Sequence, residues 1–327
     1  MRVLVTSKSF GKHAPDALEH LRAHGIEPVW PDQPHLTAER LAAAIPGFEA
    51  LVVGNDTVDA AVIAAGDRLR LIHMHGTGLD GIDVASATAK GILVANAPGA
   101  NRNAVAELAV ALMLVAGRRI DQHMEGLRAG RWERSAGREV SGKTVGLLGL
   151  GNIGRRIVEL LTGFQVRVVA CDPQPDKAWI AAHGVTLVED VDQVFAAADY
   201  LVLALPLNQG TAGLVDARRL ALMKPEAYLV NTARGGLVDE DALCAAVAGG
   251  RLAGAALDAF SREPLPADSP LLMPGITLTP HLAATSLETS ANVSRMVARN
   301  LVDILVHGLR QRAVNARQIA QASGGPA

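Results

Sequence analysis

The stretch VGLLGLGNIGRRIVELL, residues 145–161, leaves the chain few ways to fold. An apolar run, three glycines at 149, 151 and 154, and apolar residues returning at helical spacing specify a strand, a tight turn and a helix packed back on the strand. Gly149 permits the turn, Gly151 lets the backbone approach a bound group, and Gly154 lets helix and strand pack closely. The helix start presents N–H groups and a positive dipole end, which suits a pyrophosphate. The next strand, VRVVACD, ends in Asp172, eighteen residues after Gly154. A carboxylate there accepts both ribose hydroxyls of NAD and repels the 2′-phosphate of NADP. The segment PQPDK that follows holds no arginine to bind that phosphate.

Short β-branched runs alternate with helical patterns on both sides of this motif. Before it come RVLVTS (2–7), EPVW (27–30), ALVVGN (50–55), LRLIHMHG (69–76) and ILVANA (92–97), with helical segments around 15–24, 37–45, 57–65 and 83–90. A long helix, 103–119, is followed by a second series: 144–151, 166–172, 199–206, 227–235, 253–260 and 276–280. Near-continuous apolar strands in βαβα order predict parallel sheets covered on both faces. The segment 287–312 reads as a helix returning to the first domain. The expected architecture is α/β: two doubly wound parallel-sheet domains, a Rossmann nucleotide-binding domain (99–286) inserted into a flavodoxin-like substrate domain (1–98 and 287–327). The last five residues, SGGPA, are expected to be disordered.

Charge and cysteine content narrow the partners. A net charge of −2 over 327 residues gives no sign of a nucleic-acid or membrane partner. Two cysteines, Cys171 and Cys244, form no disulfide framework or metal spacing, which suits a cytoplasmic protein. The most apolar run, LAVALMLVAG at 108–117, is half the roughly twenty residues a bilayer demands. MRVLVTSKSFGK reads as a strand entering a polar loop rather than a targeting segment.

Three later strands each end in a polar residue: Arg234 in LVNTARGG, Glu263 in ALDAFSREP, and His281 in ITLTPHLAATS. Ligands of doubly wound sheets bind outside the carboxyl ends of strands, so all three are expected at one crevice beside the nicotinamide. A guanidinium clamps a carboxylate, an imidazole exchanges a proton with a hydroxyl or carbonyl oxygen, and a carboxylate on its other nitrogen favours the imidazolium. Together they describe hydride transfer on a 2-hydroxy acid.

At this point the chain resembles the D-2-hydroxyacid dehydrogenase family, through GTGLDGIDV, NAPGANRNAVAELAV, GLLGLGNIGRRI, LALPLNQGT, NTARGGLVDEDAL, ALDAFSREP and TPHLAATS. The resemblance implies that His281 is the acid/base, Glu263 its partner and Arg234 the substrate clamp. It implies that Gly149, Gly151, Asn152, Ile153, Gly154 and Asp172 hold NAD, with Pro206, Thr211, Thr232 and Asp258 in contact with the cofactor. Backbone N–H groups of Thr77 and Gly78 would hold the substrate carboxylate, with Asn101 near Arg234. No metal is implied: His73 and His75 lie two apart on a predicted strand, but no cluster completes a site, and His75 is an alternative lining residue for the cleft. A homodimer through the nucleotide-binding domain is expected.

The substrate is read from one departure. Phosphoglycerate dehydrogenases of the family carry an arginine after the third outer strand; this chain has Gly54, Asn55 and Asp56 there, and Met74 at a second basic position. A small acid such as hydroxypyruvate or glyoxylate is expected. Lys8, Lys12 and Arg102 keep open a D-3-phosphoglycerate dehydrogenase without regulatory domain. A further alternative is an NAD-sensing, corepressor-like binding protein. The loop SKSFGKH (7–13) either overhangs the site or is a solvated basic turn.

Overall fold

In the computed structural model the chain is described over residues 1–33 and 36–322, so SGGPA lies outside the described residues. Two compact units form, Met1–Asn101 with the segment from Thr285 onward, and Arg102–Ala284.

The outer unit is built on β1 (Arg2–Val5), β2 (Glu27–Val29), β3 (Ala50–Val53), β4 (Leu71–Met74) and β5 (Leu93–Ala95). All pairings are parallel, in the order β2-β1-β3-β4-β5, so the strand order reverses between β1 and β3. Alternation along each strand divides the core in two. Val3, Val5, Val52 and Leu71 face the helix Leu287–Leu305, whereas Leu4, Leu51, Val53 and Ile72 pack on the opposite face. Ser286 opens that helix, its Oγ accepting the Thr289 N–H at 3.0 Å. The helix stops at Leu305, short of the expected 312, where Gly308 takes φ +71°. A further helix, Ala316–Ala322, was not expected. Asn315 ahead of it accepts the Val94 N–H at 2.8 Å and donates to Ile92 O at 2.9 Å, stitching the tail to β5.

The second unit contains β6 (Thr144–Leu148), β7 (Arg167–Cys171), β8 (Thr186–Leu187), β9 (Tyr200–Leu203), β10 (Tyr228–Asn231), β11 (Gly254–Leu257) and β12 (Ile276–Leu278). The order is β12-β11-β10-β9-β6-β7-β8, all parallel, and it reverses between β6 and β9. That is the doubly wound dinucleotide arrangement. Tyr200, Val202, Tyr228 and Val230 face one core; Leu201, Leu203 and Leu229 face the other. The long helix Arg102–Arg118 packs on the helix Asn152–Leu161 and on β10 and β11 through Ala106, Ala109 and Met113. Arg119, at φ 52°, breaks it, and the helix Ile120–Arg128 follows, which sequence patterning did not separate. The helices at 177–182, 191–197, 217–220 and 240–248 each open on an aspartate, Asp176, Asp190, Asp216 and Asp239, whose side chain accepts a first-turn N–H.

The expected strands of this unit overrun their carboxyl ends. The run 144–151 ends at Leu148, 199–206 at Leu203, 227–235 at Asn231 and 253–260 at Leu257. The surplus residues leave the sheet as loops, all on the same edge because the strands are parallel.

Candidate active site

The loop after β6 is set by its glycines. Gly149 has φ +97°, and a Cβ there would stand 2.4 Å from Ala204 O; one on Gly154 would stand 2.1 Å from Gly149 O. Gly151 has open space before it. The helix Asn152–Leu161 starts there, with Asn152 exposed and Ile153 half-buried. Asp172, just past β7, is tied to this loop: Oδ2 accepts the Leu150 N–H at 2.6 Å and Oδ1 that of Gln174 at 2.7 Å. Arg155 donates to Leu150 O at 2.9 Å, pairs with Asp176 at 3.0 Å and lies over Trp179, so its guanidinium is committed within the protein.

Two further edge loops carry expected cofactor contacts. Thr211 donates its hydroxyl to Pro206 O at 2.7 Å and accepts the Asn208 N–H at 2.8 Å, folding the loop after β9. Thr232, at the exit of β10, is buried, and its Oγ1 has no protein partner among the described residues. An orphaned hydroxyl on the same sheet edge as a turn that Gly149 and Gly154 keep tight, with Gly151 open, fits a dinucleotide.

Arg234 leaves β10 on an exit organised by Asn231, a fully buried residue that sequence reading did not single out. Its Nδ2 donates to Arg234 O at 2.9 Å and its Oδ1 accepts the Ala233 N–H at 3.0 Å. Arg234 Nη1 donates to Ala233 O at 2.8 Å. The next residue, Gly235, was also missed. A Cβ on it would stand 1.8 Å from the Phe260 carbonyl carbon, so only glycine lets the two exits touch. The signal was available in the glycine pair after the arginine, NTARGG.

Glu263 and His281 meet on the exits of β11 and β12. His281 Nδ1 lies 2.7 Å from Glu263 Oε2, while Glu263 Oε1 accepts the Phe260 N–H at 3.0 Å. The carboxylate fixes the proton on Nδ1 and leaves Nε2 for another partner. His281 sits at φ +50°, an unusual conformation for a non-glycine. Asp258 maintains it: its Oδ1 accepts Thr279 Oγ1 at 2.6 Å and the Leu282 N–H at 2.8 Å, and its Oδ2 accepts the Ala283 N–H at 2.8 Å. Asp258, expected at the cofactor, therefore uses both oxygens to hold the histidine turn.

In the outer unit the turn after β4 contains Thr77 and Gly78. Gly76 O accepts the Ala97 N–H at 2.8 Å, Thr77 O accepts Asn96 Nδ2 at 2.7 Å, and Thr77 Oγ1 accepts Asn101 Nδ2 at 3.4 Å. Among the described residues no protein acceptor takes the Thr77 or Gly78 N–H. Asn101 is buried and its Oδ1 lacks a protein partner. β4 ends at Met74, so His75 lies just beyond it. Burial pushes both His73 and His75 down to about 4. Their rings face the helix Leu287–Leu305, where Asn300 Nδ2 meets His73 Nε2 at 3.1 Å and Ser294 Oγ meets His75 Nε2 at 3.0 Å. Among the described residues no cluster of three metal-ligating side chains occurs, and no helix is long and apolar enough to cross a membrane. Asp56 is buried beside Thr6, whose hydroxyl it accepts at 2.6 Å, and Oδ1 accepts the Leu36 N–H at 3.0 Å.

Residues 110–283 match the family model "D-isomer specific 2-hydroxyacid dehydrogenase, NAD binding domain". The chain is 39% identical over 309 residues to the D-3-phosphoglycerate dehydrogenase of Archaeoglobus fulgidus, covering 93% of this chain and 58% of that protein. It therefore spans little more than half the length of that relative. It is 39% identical over 266 residues to the hydroxypyruvate reductase of Thermotoga maritima, covering 79% and 85% of the two chains. Among solved structures, an NADPH-dependent glyoxylate/hydroxypyruvate reductase from Sinorhizobium meliloti superposes with a TM-score of 0.81 at 32% identity, covering 94% of this chain and 95% of that one.

Proposed function

The chain belongs to the D-isomer specific 2-hydroxyacid dehydrogenase family, its second unit being the family's NAD-binding domain, and from that premise we propose that it interconverts a small D-2-hydroxy acid and its 2-oxo acid with NAD(H). Hydroxypyruvate or glyoxylate is the substrate type. The observation that carries this reading is the 2.7 Å bond between His281 Nδ1 and Glu263 Oε2, on the same sheet edge as the glycine loop.

The glycine loop, Asn152, Ile153, Asp172 and Thr232 hold the dinucleotide, which when bound supplies or accepts the hydride at C2 of the acid. Arg234 binds the substrate carboxylate and polarises the adjacent carbonyl. Protonated His281 gives its Nε2 proton to the developing C2 alkoxide, and neutral His281 takes it back in the oxidative direction. Glu263 steadies the imidazolium between those steps, and Asp258 keeps the ring in place. In the outer unit the Thr77 and Gly78 amides, which no protein acceptor among the described residues takes, suit a carboxylate.

A non-phosphorylated acid is favoured because the position after β3 holds Asp56, folded inward onto Thr6, in place of a cation. Asp172 favours NAD, in contrast to the NADPH-dependent relative. The exposed stripe Ile120, Met124 and Leu127, with Trp132 84% exposed, supports a homodimer through the NAD-binding unit. Light scattering at the mass of a monomer would contradict that. The free cysteines agree with a cytoplasmic location.

The test is a panel of 2-oxo acids with NADH and NADPH in parallel, followed at the NADH absorbance. Turnover of hydroxypyruvate or glyoxylate with NADH is expected, and D-glycerate should outperform D-3-phosphoglycerate in reverse. NADH binding with no turnover on any acid would overturn the assignment and favour a sensor of the cofactor.

A further inference from the structure

His75, at the carboxyl end of the outer sheet, ties its own segment to two others through its side chain. Its backbone N–H donates to Val53 O at 2.7 Å, continuing the sheet register for one residue past β4. Its ring then reaches two other segments. Nδ1 meets Ser7 Oγ at 3.0 Å and Ser9 Oγ at 3.3 Å, both in the 7–13 loop, and Nε2 meets Ser294 Oγ at 3.0 Å on the helix Leu287–Leu305. Phe10 packs edge-on against the ring, 5.6 Å between centroids.

The hydrogen positions follow from the partners. Ser294 Oγ donates its single hydrogen to Ser290 O at 2.7 Å and accepts the Gly11 N–H at 3.1 Å. Having no hydrogen left, it can only accept from His75, so Nε2 carries the ring proton. Nδ1 is then a lone-pair acceptor for the Ser7 hydroxyl. Protonated this way, the neutral ring gives each nitrogen a partner, Ser294 on one side and a serine of the 7–13 loop on the other. Among the described residues, the titratable ring bearing on it is His73, also buried and neutral.

The next three residues are Gly76, Thr77 and Gly78. The carbonyls of Gly76 and Thr77 are turned into the protein by Ala97 and Asn96, while the Thr77 and Gly78 N–H groups stay unclaimed among the described residues. We propose that His75 is a positioning residue that, as its Nε2–H tautomer, locks the Gly76–Thr77–Gly78 turn between the 7–13 loop and the helix Leu287–Leu305 so that its amides are preorganised for a carboxylate. The proposal rests on the oxidoreductase reading above. It also makes the 7–13 loop a packed wall of the turn: Ser7 and Phe10 are buried while Lys8 and Lys12 point to solvent.

The experiment compares wild type with His75→Ala, His75→Gln and Ser294→Ala. Steady-state constants for the 2-oxo acid are measured beside the NADH Kd from fluorescence and the affinity for oxalate, a two-carbon dicarboxylate, from thermal shift. His75→Ala should raise KM and weaken oxalate about tenfold or more, with kcat at saturation and NADH Kd within about twofold, the pattern for lost ground-state binding. Ser294→Ala, milder for folding, should move KM the same way. His75→Gln, which restores a donor toward Ser294, should recover some of the loss. Unchanged KM and oxalate affinity in folded His75→Ala, or a parallel loss of NADH binding, would overturn the positioning role while leaving the oxidoreductase intact. A wild type that binds oxalate without turnover would instead sink the catalytic reading, and the variants' oxalate affinities alone would then decide the role of His75. A wild type that binds no carboxylate overturns both.

Discussion

Gly235 and Phe260 approach so closely that a Cβ on the glycine would stand 1.8 Å from the phenylalanine's carbonyl carbon. Arg234 precedes that contact, and the Phe260 N–H is bonded to Glu263, so one glycine sets the spacing between Arg234 and the Glu263–His281 pair.

Gly235→Ala therefore has to push a pair of backbones apart rather than move a side chain. It should destabilise the NAD-binding unit by about 3 kcal/mol and lower kcat/KM at least about a hundredfold. Thermal unfolding beside steady-state kinetics checks this; near-normal activity would mean the exits are more pliable than the contact implies.

Removing the proposed acid/base has a different signature. His281→Ala should lower kcat about a hundredfold or more with NADH affinity retained. Glu263→Gln removes the charged partner of Nδ1 and should lower kcat about tenfold or more with NADH affinity retained. On the proposed reading, reduction needs His281 protonated and oxidation needs it neutral. For the native protein, pH–rate profiles in the two directions should place the optimum for reduction below that for oxidation. Coincident optima would remove His281 from the proton transfer.

Asp172 touches both the loop and, on the proposed reading, the ribose. Asp172→Asn forfeits a charged acceptor, so KM for NADH should rise about tenfold or more, while the NADH/NADPH ratio falls. Initial rates with the two cofactors measure it. An unchanged ratio would move discrimination elsewhere.

The outer unit should be acid-sensitive. His73 and His75 are held at about 4 by burial, below the 6.5 of an unfolded chain, so the unfolded state binds more protons between those values. Stability contributed by the neutral rings is complete above about pH 6.5 and is lost as pH falls toward 4, by up to a few kcal/mol. Thermal midpoints from pH 7.5 to 4.5 should decline, and less so in His73→Asn, if that variant folds. A flat profile in wild type would contradict the neutral assignment.

The alternation of apolar runs and the glycine spacing made both parallel sheets legible in the sequence, except for β8, whose two residues are too few to stand out as a run. Strand starts were readable because each follows a turn; strand ends were not, since NTARG or DAF is as apolar and β-prone as the strand it leaves. The bonds that end those strands, such as Asn231 to Ala233 and Asp258 to Ala283, are tertiary, and no periodicity reports them. Helices at 177–182 and 240–248 went unnamed although each begins with an aspartate cap, because short Ala-rich segments carry little amphipathic contrast. His75 could be read as a ligand or a lining residue; its serine partners lie 66, 68 and 219 positions away, beyond any local pattern.

Asn315 and the helix Leu287–Leu305 complete a core that Val3 and Val5 begin. During synthesis the first hundred residues thus emerge long before the segment that closes over them, whereas Arg102–Ala284 is contiguous and can fold as soon as it clears the ribosome. The nascent outer sheet must wait with one face covered only by the helix Pro15–Ala23 until the chain's last segment arrives.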